Sequence, residues 1–165
     1  MRSHHEPTPR EGKRVGSCPI CEADRPLDVL AEVAATWVTA ATEAPLPGYV
    51  CVVSKVHVME PFALRGMARH AFWDDVSAVA EAVKRVTGSP KLNYEVHGNT
   101  IPHLHLHLYP RYPGDPYEGA AIDPRAGHTF ARSAEDLARL RDAILSASHA
   151  PAVGRSGRTR DGIVD

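Results

Sequence analysis

The chain has 165 residues, of which 43% are hydrophobic, and its formal net charge at pH 7 is −1. This composition favours one ordinary globular domain, and it argues against extensive disorder and against general binding to nucleic acids or membrane surfaces. The sequence contains no run of about 18 apolar residues that could span a membrane, and its N-terminal segment lacks the apolar middle of a signal peptide. We therefore expect a cytoplasmic protein, and the odd number of three cysteines is typical of a reducing compartment.

The two ends of the chain differ in composition from the middle. Residues 1–16 and 150–165 are polar, rich in Gly, Pro and Arg, and without periodicity, which predicts flexible tails around one domain at 17–149. Within this domain, β-branched or aromatic runs at 35–40 and 48–54 predict two strands joined by a turn-rich loop. We expect these two strands to pair with each other.

A long amphipathic helix is predicted from Gly66 to Thr87, because apolar residues recur there at spacings of three and four. The helix should end at Gly88 and Pro90, since glycine favours the left-handed cap and proline cannot continue a helix. The positions expected to face inward are Met67, Phe72, Val76, Val79, Ala80, Val83 and Val86. The polar side is expected to contain Arg69, Asp74, Asp75, Glu81, Lys84 and Arg85.

The most distinctive segment of the chain is "PHLHLHLYPR" at 102–111. Leucine and histidine alternate with period two, so in an extended strand the leucines share one face and the histidines share the other. The histidines are His103, His105 and His107. A strand predicted at 91–96 and a turn through Gly98 and Asn99 precede this segment. The two strands and the turn together predict a hairpin.

A final helix is predicted to begin after Ser133, whose hydroxyl can cap it, with Asp136 at the third helical position. Its expected inward positions are Leu137, Leu140, Ile144 and Leu145. Strands before and after one long helix, followed by a C-terminal helix, predict an α+β domain with an antiparallel sheet of about five strands.

Cys18 and Cys21 form a Cys-x-x-Cys pair, whose tight turn can direct both thiols at one ion. A redox pair is the alternative, but it normally opens the helix of a βαβ unit, and Pro19 with no preceding strand fits that poorly. A structural zinc site needs four ligands, and Cys51, alone in a predicted strand, is interpreted as a buried hydrophobic residue. The missing ligands are therefore expected among the histidines, with His57 and one of the three strand histidines as candidates. The other histidines are interpreted as exposed and isolated: His4, His5, His70, His97, His128 and His149.

The row of three histidines has three possible interpretations. It could be a coincidence of exposed side chains, although three histidines in register on the strand, opposite an apolar face, indicate a function. It could be a catalytic three-histidine metal site, although side chains along one strand spread too far to close easily on one ion. Finally, one histidine could bind zinc while the others do acid–base or nucleophilic work, for which neutral imidazole is suited.

The segment "NYEVHGNTIPHLHLHLYPR" at 93–111 resembles the signature of the histidine triad (HIT) family. The similarity extends to "VVSKVH" at 52–57 and to the Cys-x-x-Cys pair of zinc-bearing members. It implies a nucleotide hydrolase or nucleotidyl transferase that cleaves at the α-phosphate of a nucleoside 5′-phosphoramidate or a dinucleoside polyphosphate, and it implies a homodimer. Two alternatives stay open: a non-catalytic nucleotide-binding zinc protein, and a metal-dependent hydrolase with the three histidines as ligands.

The resemblance also implies roles for individual residues. His105 is similar to the nucleophile that forms a nucleotidyl-histidine intermediate, and His107 to the residue that contacts phosphate oxygens or the leaving group. Asn99 and Thr100 would hold phosphate or leaving-group oxygens, and Asn93 would also lie near phosphate. Neutral donors of this kind stabilise charge on phosphoryl oxygens.

In zinc-bearing members the ligand set corresponds here to Cys18, Cys21, His57 and His103. Zinc at His103 would fix the strand and thereby the orientation of the nucleophile. The sequence departs from the family pattern in two places. The loop "TAATEAPLPG" lacks an acidic residue in register for the ribose hydroxyls, and Tyr49 stands where members often have histidine.

Overall fold

A computed structural model describes residues 18–123 and 126–149 of the chain. The predicted tails at 1–16 and 150–165 lie outside these residues, and the domain bounds 17–149 stay a prediction. In the part that is described, no helix is both long enough and apolar enough to cross a membrane.

The described elements follow one another as helix α1, four strands, a long helix, three strands and a last helix. Their bounds are α1 Pro19–Glu22, β1 Val29–Glu32, β2 Thr36–Thr39, β3 Glu43–Ala44, β4 Val50–Ser54, the 3-10 helix Pro61–Ala63, α2 Gly66–Thr87, β5 Lys91–Val96, β6 His105–Arg111, β7 Phe130–Ala131 and α3 Ala134–His149.

Five of these strands form an antiparallel sheet in the order β1-β2-β4-β6-β5. This sheet and the helices confirm the predicted α+β fold. The two strands predicted first do pair, from Thr36 opposite Ser54 to Thr39 opposite Cys51. The short strands β3 and β7 form a separate ribbon.

The leucine face of β6 lies in the main core. Leu104, Leu106 and Leu108 are at most 1% exposed and share one apolar cluster with side chains of α2 and α3. Val50 and Val52 of β4 extend this cluster, because they are directly opposite Leu108 and Leu106. The helices therefore cover the leucine face, and the alternate residues of β6 lie on the other side of the sheet.

Helix α2 has the predicted bounds and ends at Gly88, which adopts a φ of +66° and donates its backbone N–H to Lys84. Two predictions about its faces are wrong. Met67 is 79% exposed. It precedes Phe72 by five positions, which places its side chain about 140° around the helix axis from that buried residue. Asp75 is buried, because its carboxylate accepts hydrogen bonds from the Ala35 N–H at 2.7 Å and from the hydroxyl of Thr36 at 3.1 Å.

The start of α3 agrees with the predicted cap. The backbone N–H of Asp136 donates to the hydroxyl of Ser133 at 3.0 Å, and the Ser133 N–H donates back to the Asp136 carboxylate at 3.3 Å. The predicted inward residues Leu140 and Ile144 are buried. This helix packs against α2 and so completes the cover over the sheet.

Candidate active site and metal centre

The sheet face opposite to the helices contains the candidate site, and we call it the histidine face. His105 and His107 project from this face of β6. In the antiparallel register they lie opposite Val53 and Cys51 of β4, respectively, and Glu95 of β5 lies opposite His107 from the other side. Paired residues of neighbouring strands share a face, so these five side chains form two adjoining rows.

The structure brings together the four side chains that the resemblance implied as zinc ligands. Nδ1 of His103 lies 3.4 Å from Sγ of Cys18, 3.6 Å from Sγ of Cys21 and 3.3 Å from Nδ1 of His57. The Sγ of Cys21 and the Nδ1 of His57 are 3.2 Å apart, and all four atoms lie within 4.8 Å of one another.

These distances fit a tetrahedral zinc site. Zinc bonds of about 2.05 Å to nitrogen and about 2.3 Å to sulfur place two nitrogens about 3.3 Å apart and a sulfur and a nitrogen about 3.6 Å apart. The observed separations of 3.2–3.6 Å agree with those edges. Cys18, Cys21, His57 and His103 could therefore hold a metal ion.

Neighbouring groups fix the geometry of this cluster. The ring of His103 is 2% exposed, and its Nε2 donates to the Ser54 carbonyl at 2.7 Å, which leaves Nδ1 directed at the cysteines. Burial lowers the pKa of His103 and so favours the neutral ring that binds metals. Ile20 lies between the two cysteines in sequence and is buried against Cys51 and Val53, which holds helix α1 on the sheet.

Two observations address the alternatives for the cysteines. Cys18 caps α1 and Cys21 lies within it, but α1 is the first described element and belongs to no βαβ unit. Cys51 is 8% exposed, and burial raises the pKa of its thiol to about 12, consistent with its interpretation as a buried hydrophobic residue.

His105 is oriented as a nucleophile would need to be. Its Nδ1 lies 2.7 Å from the backbone carbonyl of His103. A carbonyl only accepts hydrogen bonds, so Nδ1 carries the proton and the free lone pair is on Nε2. The ring is partly exposed, which leaves that nitrogen available to a ligand.

His107 has a different environment. The Tyr49 hydroxyl and the Nδ1 of His107 form a hydrogen bond of 2.7 Å, and the His107 ring stacks with Tyr49 and Tyr109 at centroid distances of 5.9 and 5.8 Å. Burial, assisted by the nearby His105 and His97, lowers the pKa of His107 to about 4. Burial also raises the pKa of the Tyr49 hydroxyl, so this phenol keeps its proton. The ring of His107 is therefore neutral at pH 7.

The three predicted assisting residues lie at different places. Asn93 is half-buried on β5 opposite Tyr109, one row beyond His107. Asn99 and Thr100 are exposed on the turn between β5 and β6. Asn99 lines a cavity of about 300 Å³ at that turn.

Sequence reasoning missed His97, which it treated as an isolated exposed residue. The ring centroid of His97 lies 5.5 Å from that of His107, and its Nε2 lies 3.0 Å from the Glu95 carboxylate. The sequence did contain a signal for His97. Residues two positions apart in a strand share a face, and Glu95, two residues before His97, lies on the histidine face of β5.

Comparison with known proteins identifies the family. The model of the HIT domain matches residues 23–114. The chain belongs to the HIT domain family. Among curated proteins, none matches the chain.

Solved structures of HIT proteins share the fold. A histidine triad protein from Marinobacter aquaeolei VT8 is 24% identical, with a TM-score of 0.62 over 73% of this chain and 87% of that one. A histidine triad protein from Sinorhizobium meliloti 1021 is 20% identical, with a TM-score of 0.63 over 72% and 87%. A Zn-bound histidine triad family protein from Mycobacterium smegmatis is 19% identical, with a TM-score of 0.56 over 79% and 94%.

Proposed function

We propose that this HIT protein is a nucleotide hydrolase or nucleotidyl transferase that cleaves at the α-phosphate of a nucleoside 5′-phosphoramidate or a dinucleoside polyphosphate. The orientation of His105 supports this proposal most directly. The hydrogen bond from Nδ1 to the His103 carbonyl holds the ring in the form whose Nε2 can attack phosphorus.

The reaction proceeds in two displacements. Nε2 of His105 forms a bond to the α-phosphorus while the bond to the leaving group breaks, giving a nucleotidyl-histidine. Water then attacks the same phosphorus and releases the nucleoside monophosphate. The side chains of Asn99 and Thr100 donate hydrogen bonds to the phosphoryl oxygens, the ring of His107 contacts these oxygens or the leaving group, and Asn93 also lies near phosphate. Donors fixed in advance stabilise the charge that develops there.

We propose a structural zinc ion at Cys18, Cys21, His57 and His103. Zinc bound there would contribute folding free energy and hold His103 in place, and no chemical step would pass through the ion. The fit of the donor distances to a tetrahedron supports this assignment. His105 and His107 contact groups outside this cluster, which argues against a metal ion bound by all three histidines.

The homodimer and the cytoplasmic location stay predictions. An exposed apolar patch on the outer strand β5 and on α2 is a suitable dimer surface. There Tyr94, Val96 and Trp73 are between 40% and 51% exposed. Light scattering during gel filtration would measure the assembly.

A nucleotide-binding protein without turnover is the second candidate. One observation favours it: Glu43, the acidic residue of the loop after β2, is exposed and lies in the β3–β7 ribbon rather than in the sheet. Glu43 is therefore not placed to serve as the acidic residue that would bind the ribose hydroxyls of a nucleotide.

Turnover of an adenosine phosphoramidate with a fluorescent leaving amine distinguishes the two candidates. Wild type and His105→Ala are compared for release of the amine and, by intact mass after an acid-free quench, for a nucleotidyl adduct. The proposal expects release and adduct in the wild type and neither in the variant. A folded, zinc-loaded wild type that binds nucleotide but forms no adduct would favour the binding protein.

A further inference from the structure

A carboxylate–imidazole pair lies beside the proposed nucleophile. The Nε2 of His97 donates to the Glu95 carboxylate at 3.0 Å. The side chain of Glu95 is only 17% exposed, whereas that of His97 is 51% exposed. A half-buried carboxylate thus holds one ring nitrogen and leaves Nδ1 of His97 for a ligand, the arrangement that orients a histidine for proton transfer.

The fold places this pair next to the phosphorus that His105 would attack. The last residue of β5, Val96, is opposite Leu106, so His97 follows directly at the level of His105. The ring centroids of His97 and His105 lie 5.5 and 5.0 Å from that of His107. His97 also lines the cavity of about 300 Å³ that contains Asn99, the residue we propose to contact the leaving group or phosphate.

Leaving groups differ in whether they need a proton. An alkylamine departs from phosphorus only if its nitrogen is protonated as the bond breaks, whereas a nitrophenolate is stable as an anion. The described ionisable groups around His107 do not suit that task. Burial holds His107 neutral with a pKa of about 4, and it raises the pKa values of Tyr109 and Cys51 to about 12. General acids work best when they exchange protons near the working pH.

Among the residues that the structure describes, the other flank of His105 offers no acid for a leaving group. Val53 faces His105 from β4, within an apolar cluster that includes Ile20 and Trp37. His57 and His103 are held in the Cys2His2 group. The β5 flank, with His97 and Glu95, is therefore where a proton donor for the leaving group is available.

We propose that His97 is the general acid–base residue of this site and that Glu95 is its positioning residue, serving substrates whose leaving group is an amine. This inference rests on the proposed function, because it assigns the proton transfers of the same two displacements. Glu60 also lines the cavity beside His97, and a cavity with this carboxylate suits an amine better than a polyphosphate anion.

The proton balance closes over one cycle. The cycle starts with His97 as an imidazolium, protonated on both ring nitrogens. In the first displacement, Nε2 of His105 bonds to phosphorus and the electron pair of the P–N bond goes to the amine nitrogen, which takes the proton from Nδ1 of His97. The neutral amine leaves. In the second displacement, water attacks phosphorus, its proton goes to Nδ1 of His97, and the electron pair of the bond to His105 returns to Nε2. Both histidines regain their starting states.

The test compares two adenosine 5′ substrates, a phosphoramidate with an alkylamine leaving group and an ester with a 4-nitrophenol leaving group. The variants are His97→Asn and Glu95→Gln, with His70→Asn as matched control because His70 is an exposed histidine on α2. Zinc content and urea unfolding establish that each variant is folded. Stopped-flow measures the first turnover and the steady state separately, and intact mass measures the adduct.

For His97→Asn we expect kcat on the phosphoramidate to fall between about a hundredfold and ten-thousandfold. On the nitrophenyl ester, the nitrophenolate burst should persist, while the steady-state rate falls and the nucleotidyl adduct accumulates, because the second displacement still lacks its base. Glu95→Gln should show the same pattern with a smaller loss, and His70→Asn should match the wild type.

Equal losses in the rate of the first displacement on both substrates, or no loss on either, would overturn the role of His97 and leave the nucleotidyl-histidine mechanism intact. A wild type that gives neither burst nor adduct would refute the proposed function, and the role of His97 with it. The accumulation of adduct is decisive, since a merely structural defect would slow adduct formation rather than preserve it.

Discussion

The stability of the protein between pH 7 and pH 5 should depend on His107. This ring packs against Tyr49, Tyr109, His105 and His97, and burial lowers its pKa to about 4 from the ordinary histidine value of 6.5. In the unfolded chain His107 takes up a proton as the pH falls through 6.5, while in the folded protein it stays neutral. The unfolded state then binds more protons than the folded state. The free energy of unfolding therefore decreases as the pH is lowered through this window.

The magnitude follows from the two pKa values. Between pH 7 and pH 5 the difference in protonation gives about 2 kcal/mol. The ring is only partly buried, and solvent screening reduces the expected loss to between about 1 and 2 kcal/mol. The loss should continue below pH 5 and level off below pH 4, where both states are protonated.

Urea unfolding of wild type and His107→Asn at pH 7 and pH 5, with zinc present, measures this contribution. Other titrating groups, including the metal ligands, are common to both proteins and cancel in the difference. The wild type should lose between about 1 and 2 kcal/mol more than the variant on acidification. Equal losses, or an NMR titration that protonates His107 near pH 6.5 in the folded protein, would refute the reasoning.

Three further predictions concern the metal and the core. Elemental analysis should find one zinc ion per chain in the wild type and in Cys51→Ser, and none in Cys21→Ser. Leu106→Ala should lower the free energy of unfolding by about 2 to 5 kcal/mol, because Leu106 is 1% exposed; Leu27→Ala, at an 85% exposed position, should change it by less than about 0.5 kcal/mol. Asp75→Ala should cost about 1 to 3 kcal/mol in urea unfolding, because it leaves the Ala35 N–H without its acceptor.

Local patterns predicted the larger elements of the fold. The period-two alternation at 102–111 predicted both faces of β6, and the spacing from Phe72 to Val83 predicted the buried side of α2. Strand β1 was not located individually, because four residues carry little pattern and their pairing depends on β2. The β3–β7 ribbon joins Glu43 to Ala131, and no local signal predicts so distant a pair.

The site was predicted only as far as its motifs extend. The resemblance implied four zinc ligands, and the fold brings those four donors together. Tyr49 reaches His107 from before β4, outside the motif. Glu95 and His97 lie inside the quoted segment, but their place beside His107 depends on the pairing of β5 with β6. Such contacts depend on strand pairing, which the sequence of one segment does not contain.

A single residue joins the proposed metal centre to the proposed nucleophile. The ring of His103 lies among the cysteines and donates to Ser54, while its backbone carbonyl accepts the Nδ1–H of His105. A bound ion would thus hold His103 in place at one end and, through that carbonyl, the tautomer of His105 at the other. Zinc would then support catalysis without touching the substrate, and its loss would lower the rate of adduct formation even in chains that remain folded.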